Sequence, residues 1–246
     1  MISAIIQARM GSTRLPRKVL MQIEDESLLS YQINRILKSK LIDNIILATT
    51  TEKIDDEIVS HCKELGVDYF RGSENDVLGR YYETAKYFKS DVIVRMTADC
   101  PLLDPNIIDK TVQLFLDEKV NYAANTVPPE NSKFPDGSDV EVFDFKSLEI
   151  ANLECKDKHD REHVTFYFWK YNNSFSTAQL DSHNDFSKYR FTIDYPEDFE
   201  VLDFLINEIR KRKILGTTEE IVQLLDSNPE IKEKNSKYFF GIGWQK

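Results

Sequence analysis

Short apolar runs alternate with helical stripes over the first hundred residues of the chain. Four runs have the length of strands buried on both faces: Ala4–Ile6, Asn44–Thr49, Val67–Phe70 and Val92–Met96. Between them, apolar residues recur at helical spacing in three stretches: Leu28, Leu29, Ile33, Ile36 and Leu37, then Ile54, Ile58, Val59, Cys62 and Leu65, then Val77, Leu78, Tyr81, Ala85 and Phe88. This pattern predicts right-handed strand–helix–strand units that build a mainly parallel sheet.

The alternation weakens after Asn125. Residues 125–188 combine a polar, proline-bearing loop with a helical piece, a strand-like piece near Phe175–Leu180 and an aromatic cluster at Phe166–Trp169. We interpret this segment as an inserted substrate flap or dimerisation arm. Arg190–Ile193 predicts a return to strand, and the apolar stripes after it predict helices.

A basic loop follows the first predicted strand. Arg9, Arg14, Arg17 and Lys18 lie close together, with Gly11 among them, and no acidic residue occurs before Glu24. Glycine lets backbone N–H groups approach a ligand, and Arg and Lys donate to phosphate oxygens. The loop has neither the dinucleotide fingerprint nor the P-loop motif. The arrangement predicts a phosphate site, and a solvated basic turn is the alternative.

Composition narrows the class of protein. The chain has 246 residues, 41% hydrophobic and 30% charged, which suits one soluble α/β domain. Its formal net charge of -10 argues against nucleic acid or an anionic membrane as partner. Three cysteines without metal-type spacing suggest reduced thiols in a cytoplasmic protein, and Arg9 breaks the first apolar run too early for a signal peptide.

Two aspartates follow predicted strands and so lie where ligands of parallel sheets gather. Asp99 comes just after Val92–Met96, and Asp194 comes just after Arg190–Ile193. Carboxylates near a phosphate loop suit Mg²⁺, which takes one or two of them beside phosphate oxygens. The alternative for both is a turn or helix cap, a role that Asp104 fits well because Pro105 follows it.

Three stretches resemble a known enzyme family. The segment A-R-M-G-S-T-R-L-P-R-K resembles the N-terminal segment of the cytidylyltransferases that activate acidic sugars, which include CMP-KDO and CMP-sialate synthetases. The likeness is greatest to the branch of spore coat polysaccharide biosynthesis protein F. T-A-D-C-P-L-L-D-P resembles the family's metal motif, and the D-x-P-E-D pattern from Asp194 resembles its late metal motif. Thr97 stands where acidic-sugar synthetases often have Gln.

The resemblance implies a three-layer, Rossmann-like nucleotidyltransferase fold that forms a single domain over residues 1–246, with 125–188 as the inserted arm. It implies a reaction in which CTP and an acidic or unusual sugar give a CMP-sugar and pyrophosphate. It also implies that the enzyme is a homodimer. Mg²⁺ would be held by Asp99 and Asp194. Arg14 and Lys18 would join these two aspartates as the catalytic residues.

The resemblance also implies binding residues. Those for the nucleotide are Ala8, Arg9, Met10, Gly11, Ser12, Arg14, Lys18, Ser73, Arg80, Thr97 and Asp99. Those for the sugar are Asp136, Ser138, Glu141, Arg161, Glu162 and His163. For the stretch from Ser73 to Arg80 the alternative is a helix start with Asp76 in its first turn. For the stretch from His159 to His163 the alternatives are a salt-bridged surface helix or, without the H-E-x-x-H order, a zinc pair.

Two other functions stay open at this point. One is nucleotidyl transfer to a phosphorylated or phosphonate acceptor, which would keep the basic loop and both aspartates but change the arm. The other is a catalytically silent nucleotide-binding or assembly subunit. The presence of both Asp99 and Asp194 argues against the silent subunit, because binding of phosphates alone needs fewer nearby carboxylates.

Overall fold

Strands and helices alternate along the chain as the apolar pattern predicts. The computed structural model describes residues 1–171, 175–238 and 241. The strands are β1 (Ile2–Gln7), β2 (Gln22–Ile23), β3 (Glu26–Ser27), β4 (Asn44–Thr50), β5 (Asp68–Gly72), β6 (Val92–Thr97), β7 (Tyr122–Ala124), β8 (Glu141–Asp144) and β9 (Thr177–Gln179). The helices are α1 (Leu28–Ile36), α2 (Asp56–Leu65), α3 (Val77–Phe88), α4 (Pro105–Glu118), α5 (Phe145–Glu154), α6 (Lys158–His163), α7 (Phe166–Trp169), α8 (Pro196–Arg212), α9 (Thr218–Asp226) and α10 (Pro229–Lys232).

A seven-stranded sheet in the order β5-β4-β1-β6-β8-β7-β9 forms the centre. β1 pairs in parallel with β4 and β6, and β4 pairs in parallel with β5. Among the described strands of this sheet, only β8 runs antiparallel to its neighbours, β6 and β7. β2 and β3 form a separate antiparallel pair. The four predicted strands and the mainly parallel sheet are confirmed.

Apolar side chains cover both faces of the sheet and create three layers. Ile6 packs in one buried cluster with Ile33 of α1. Ile5 points to the other face, where it packs with Tyr81 of α3 and Leu148 of α5. Because both faces are covered, the centre of β1, Ala4–Ile6, is a continuous apolar run instead of alternating with polar residues.

The C-terminal helices form a third buried cluster with the start of α1. Leu202 and Leu205 of α8 and Ile221 of α9 pack there with Leu28. α8 presents this apolar stripe on one side and charged residues on the other. Among the helices of the described ranges, none is both long and apolar enough to cross a membrane.

The strand predicted at Arg190–Ile193 is wrong. Arg190 forms an isolated bridge with Asp136, and the three residues after it belong to no strand. The Phe191 N–H donates to the Asp136 carbonyl at 2.7 Å, whereas the Ile193 N–H donates to the Asp99 carbonyl at 2.8 Å. The segment is extended because it crosses two loops in turn, so no single neighbouring strand can continue the ladder.

Residues 125–188 are continuous with the rest of the fold. They contribute β8 and β9 to the main sheet, and Val164 and Phe168 pack in the same buried cluster as Tyr81 of α3. Residues 172–174 of this predicted arm lie outside the described residues. The roles of substrate flap and dimerisation arm stay predictions.

Candidate active site

The polar loops meet at the carboxyl edge of the parallel strands. The basic loop leaves β1 there, the Asp99 loop leaves β6, and the Ser73 loop leaves β5. β8 is antiparallel to β6, with Glu141 opposite Arg95, so the amino end of β8 reaches the same edge. The edge therefore joins the basic loop to residues that precede β8, which lie more than a hundred positions further along the chain.

Lys18 links the two predicted metal ligands. Its Nζ donates to Asp99 Oδ2 at 2.9 Å, to Asp194 Oδ1 at 2.9 Å and to the Ile193 carbonyl at 2.8 Å. Burial alone would lower the pKa of Lys18, but the two carboxylates outweigh it and raise that pKa. Burial would raise the pKa of Asp99, and the Lys18 ammonium instead holds it below its usual range. The structure thus brings Lys18, Asp99 and Asp194 together.

Neither aspartate caps a helix in this structure. Asp104 caps α4 by accepting from the Asn106 N–H at 2.9 Å, as the sequence predicts. The N-cap of α8 is Tyr195, and Asp194 accepts from Arg14 Nη2 at 2.6 Å and from Arg190 Nη2 at 3.2 Å. The capping alternative is therefore wrong for Asp194, which uses its carboxylate on cations.

Asp198 holds the Asp194 segment in place. This fully buried carboxylate accepts from Arg190 Nε at 2.9 Å and from the backbone N–H groups of Asp194 and Tyr195 at 2.9 and 3.0 Å. Asn235 Nδ2 donates to it at 3.0 Å. Arg190 also pairs with Asp136, so one guanidinium joins three carboxylates behind the site.

The basic loop divides into buried and exposed parts. The side chains of Ala8 and Met10 are buried, and the Met10 N–H donates to Asp55 Oδ1 at 2.7 Å, which anchors the loop. Gly11 is exposed, and a Cβ on it would meet only Glu74 Oε1, at 3.7 Å. Ser12 Oγ accepts from the Leu15 N–H. The side chains of Ala8 and Met10 therefore do not face a ligand, and the N–H of Ala8 likewise already donates within the protein, to the Ala48 carbonyl at 3.2 Å.

The cations of this loop have different partners. Arg14 reaches Asp194, Arg9 Nη1 pairs with Glu74 Oε1 at 3.3 Å, and Arg17 pairs with Glu57. The Arg9 contact joins the basic loop to the Ser73 loop. Arg17 points away from the candidate site, because its partner Glu57 lies on α2 and is itself exposed.

The Ser73 loop ends in a capped helix. Asp76 is the N-cap of α3, one position before the helix, where its Oδ1 accepts from the Gly79 N–H at 2.9 Å. The predicted helix start is confirmed, but Asp76 precedes the first turn. Arg80 Nη1 donates to the Ser73 carbonyl at 2.5 Å, while its buried Nε has no hydrogen-bond partner among the described residues. Burial lowers the pKa of Arg80.

A cavity of about 540 Å³ opens beside this loop, between α3 and the ends of α5 and α6. Arg80 and Arg161 line it, together with Ser73 and Asp76. This volume lies within the range of small-molecule pockets, roughly 300–1,000 Å³.

Several residues predicted to bind the sugar have partners within the protein. Arg161 donates to both carboxylate oxygens of Asp76, at 2.9 and 2.8 Å, and to the Asn152 carbonyl at 2.9 Å. Glu141 is buried and accepts from Arg95, Tyr122 and Thr165. Both residues therefore bind partners within the protein, and neither contacts the Asp99–Asp194 pair.

The remaining predicted sugar residues lie in two places. Ser138 is buried and donates to the Pro135 carbonyl at 2.7 Å, close to Asp136. Glu162 is exposed on α6, and His163 stacks on Phe166 with ring centroids 4.5 Å apart. Only Asp136 of this set is joined to the aspartate pair, through Arg190.

Asp139 lies in the candidate site, although it is not among the residues that the sequence predicts there. It accepts from Thr126 Oγ1 at 2.7 Å and from the Gly137 N–H at 3.1 Å. The Cys100 Sγ lies 3.8 Å from Asp139 Oδ2 and 3.7 Å from Asp99 Oδ1. The thiol thus bridges the two acidic loops, and Thr97 Oγ1 contacts it at 3.2 Å. The second aspartate of D-G-S-D is the sequence feature that could have indicated this residue. Its position in the site follows only from the antiparallel direction of β8.

Gly137 lets the Asp136–Asp139 loop touch the Asp194 segment. Its φ is +92°, and a Cβ there would lie 2.2 Å from the Thr192 backbone nitrogen. No side chain fits in that space. Close backbone approach therefore fixes the distance between the Asp136–Asp139 loop and the Asp194 segment.

A separate group of metal-type side chains lies at the start of α6. Asp157, His159 and Asp160 bring ligand atoms together, but Asp157 Oδ1 already accepts from the Asp160 N–H at 3.0 Å. His163 is not in this group, and its ring packs against His159 with centroids 4.5 Å apart. The described residues do not support a zinc pair of His159 and His163.

Comparison with known proteins identifies the class. Residues 3–239 match the family model described as Cytidylyltransferase, and the chain belongs to this family of nucleotidyltransferases. It is 33% identical over 233 residues to the spore coat polysaccharide biosynthesis protein SpsF of Bacillus subtilis, covering 92% of this chain and 94% of that protein. It is 41% identical over 239 residues to an uncharacterised protein of Methanocaldococcus jannaschii, covering 96% and 94% of the two chains.

Solved structures agree with this family. A cytidylyltransferase from Leptospira borgpetersenii superposes with a TM-score of 0.87 at 35% identity, covering 94% of this chain and 96% of that one. A CMP-2-keto-3-deoxy-manno-octonic acid synthetase superposes with a TM-score of 0.63 at 14% identity, covering 84% and 98%. The second likeness concerns the fold alone. The nucleotidyltransferase fold predicted from the sequence is confirmed.

We predict that Asp139→Asn changes the pH dependence of stability. Burial raises the pKa of Asp139 from 3.8 to about 6. Between these values the folded protein keeps a proton that the unfolded chain has lost, so stability falls as the pH rises. Asn removes this loss and still accepts from Thr126. Urea unfolding without metal should show the variant gaining, relative to the wild type, up to about 2 kcal/mol between pH 4 and pH 7. A pH-independent difference would contradict the assignment.

Proposed function

We propose that this chain is a CTP-dependent cytidylyltransferase that activates an acidic or otherwise unusual sugar to a CMP-sugar. The observation that carries the proposal is the contact of Lys18, the last cation of the basic loop, with both Asp99 and Asp194. Similarity to SpsF supports a role in polysaccharide biosynthesis.

The reaction forms one bond and breaks one. A sugar hydroxyl attacks the α-phosphorus of CTP, the bond from that phosphorus to the bridging oxygen breaks, and pyrophosphate leaves. Arg9 and Arg14 lie on the exposed side of the basic loop, where they would neutralise the departing pyrophosphate. The hydroxyl proton passes to a base or to water. Positioning and electrostatics carry most of such a phosphoryl transfer.

Asp99 and Asp194 fit the requirements of Mg²⁺. Both offer carboxylate oxygens, and the structure holds these oxygens around one shared cation, the Lys18 ammonium. Phosphate oxygens and water would complete the coordination, as is usual for Mg²⁺. Mg²⁺ bound there would supply positive charge beside the transferring phosphoryl group.

Arg80 supports a nucleotide position near the Ser73 loop. A buried guanidinium is costly unless its charge is paired, and no ion pair of Arg80 occurs within the described residues. Its Nε also lacks a hydrogen-bond partner there. The carbonyl or phosphate oxygens of a nucleotide would satisfy these donors.

The nucleotide preference is tested by pyrophosphate release. CTP, UTP, ATP and GTP are each supplied with Mg²⁺ and a panel of keto-acid sugars. Release that needs both CTP and an acceptor is expected. If no nucleoside triphosphate gives acceptor-dependent release, the catalytically silent nucleotide-binding subunit becomes the better explanation.

We predict that Asp99→Asn and Asp194→Asn each reduce turnover at least about 100-fold, or about 2.7 kcal/mol in the barrier. Each removes one charge from the same metal site, so the double variant should be little worse than either single one. Thermal stability identifies variants that are merely misfolded. Asp104→Asn is the matched control, because it alters a buried cap and should leave turnover per folded molecule unchanged. Near-normal turnover in either variant would exclude that residue from the site.

We further propose a homodimer in the cytoplasm. The predicted arm exposes Leu153 and Tyr171, and burial of these side chains would favour association. All three cysteines are buried and unpaired, as expected in a reducing compartment. Solution scattering at micromolar concentration should give twice the mass of one chain. A strictly monomeric mass would contradict the dimer.

A further inference from the structure

The Lys18 ammonium uses all of its donors inside the protein. It has three N–H groups, and they meet Asp99 Oδ2, Asp194 Oδ1 and the Ile193 carbonyl. Lys18 is 9% exposed. In this arrangement no donor remains for a triphosphate, although Lys18 is one of the cations of the basic loop.

The same two oxygens are the ones assigned to Mg²⁺. They lie at most twice the 2.9 Å contact distance apart, with Nζ between them. A magnesium ion needs its oxygens at about 2.0–2.1 Å, so it would take the space that Nζ fills. A cation of either kind satisfies the two carboxylates, but both cannot do so together.

We propose that Lys18 and Mg²⁺ exchange places, a conclusion that rests on the proposed function. Without nucleotide, Lys18 is the counter-ion that keeps Asp99 and Asp194 close to each other. When Mg²⁺ arrives with the triphosphate, the ammonium leaves the carboxylates and binds phosphate oxygens. The negative charge of the triphosphate replaces the charge that Lys18 gives up, so no buried cation is left unpaired. Lys18 is thus a positioning residue for the metal ligands before it contacts the nucleotide.

The surrounding charges favour this exchange. Arg14 Nη2 already contacts Asp194 Oδ1 at 2.6 Å, and Arg190 contacts the other oxygen of Asp194. Three cations already occupy oxygens of these two carboxylates, so a divalent ion alone must displace one of them before it can bind. Metal is therefore expected to bind weakly before nucleotide and tightly together with it.

Lys18→Met tests the proposal, because Met has a similar length without the charge. Mn²⁺ binding without nucleotide is measured from the free-ion electron spin resonance signal, and Mg²⁺ binding by calorimetry. The variant should bind Mn²⁺ at least tenfold more tightly than the wild type. Exposed Lys110 supplies the control, since Lys110→Met should match the wild type. Adding Asp99→Asn to Lys18→Met should abolish the gain.

Thermal melting with and without Mg²⁺ is a second measurement, which remains informative if the variant is less stable than the wild type. Removing Lys18 leaves two carboxylates facing each other, so the variant should melt at a lower temperature without metal. Mg²⁺ should then raise its melting temperature more than that of the wild type. With α,β-methylene CTP and Mg²⁺, the variant should bind the nucleotide more weakly than the wild type.

Unchanged or weaker Mn²⁺ affinity in Lys18→Met would overturn the exchange, as would a gain that persists after Asp99→Asn. These outcomes are independent of the proposed function, because the metal titrations contain no nucleotide. Failure of all four triphosphates to react would refute the cytidylyltransferase proposal while leaving the metal result to be judged separately.

Discussion

The buried ion pair between Arg190 and Asp198 is the constraint on which the site geometry depends. Asp198 is completely buried and binds both the Arg190 side chain and the backbone that leads into α8. Burying two charges is costly, and good geometry with further hydrogen bonds is needed to offset it. Here the remaining donors of Arg190 reach Asp136 and Asp194. One structural pair therefore sets the position of the acidic loops that surround it.

The sequence predicts the parallel half of the molecule well, since strands buried on both faces leave continuous apolar runs. The basic loop and Asp99 follow such strands, so their shared edge could be predicted. Asp194 lies beside Asp99, as the sequence predicts, but the segment before it is extended without being the predicted strand. Its position depends on Asp198 and on the Asp99 carbonyl, which are contacts that no periodicity reveals.

The part of the candidate site beside β8 is harder to predict because it depends on topology. β8 is short and reverses direction, which brings Asp139 beside Cys100 instead of to the far end of the sheet. Arg161 has the right chemistry to bind a carboxylate, and it does so within the protein, at Asp76. A side chain suited to a ligand is equally suited to an internal partner, and only the folded arrangement distinguishes the two.

Gly137 makes the geometry of the candidate site depend on a residue that carries no functional group. Its backbone contacts Thr192 so closely that any side chain would separate the loops of Asp139 and Asp194. Every charged residue could then be retained while the distances among them changed. During divergence of the family, a chain that lost this glycine could keep all the recognisable motifs without the arrangement of charged side chains seen here. Motif retention alone is therefore an incomplete criterion for activity among its relatives.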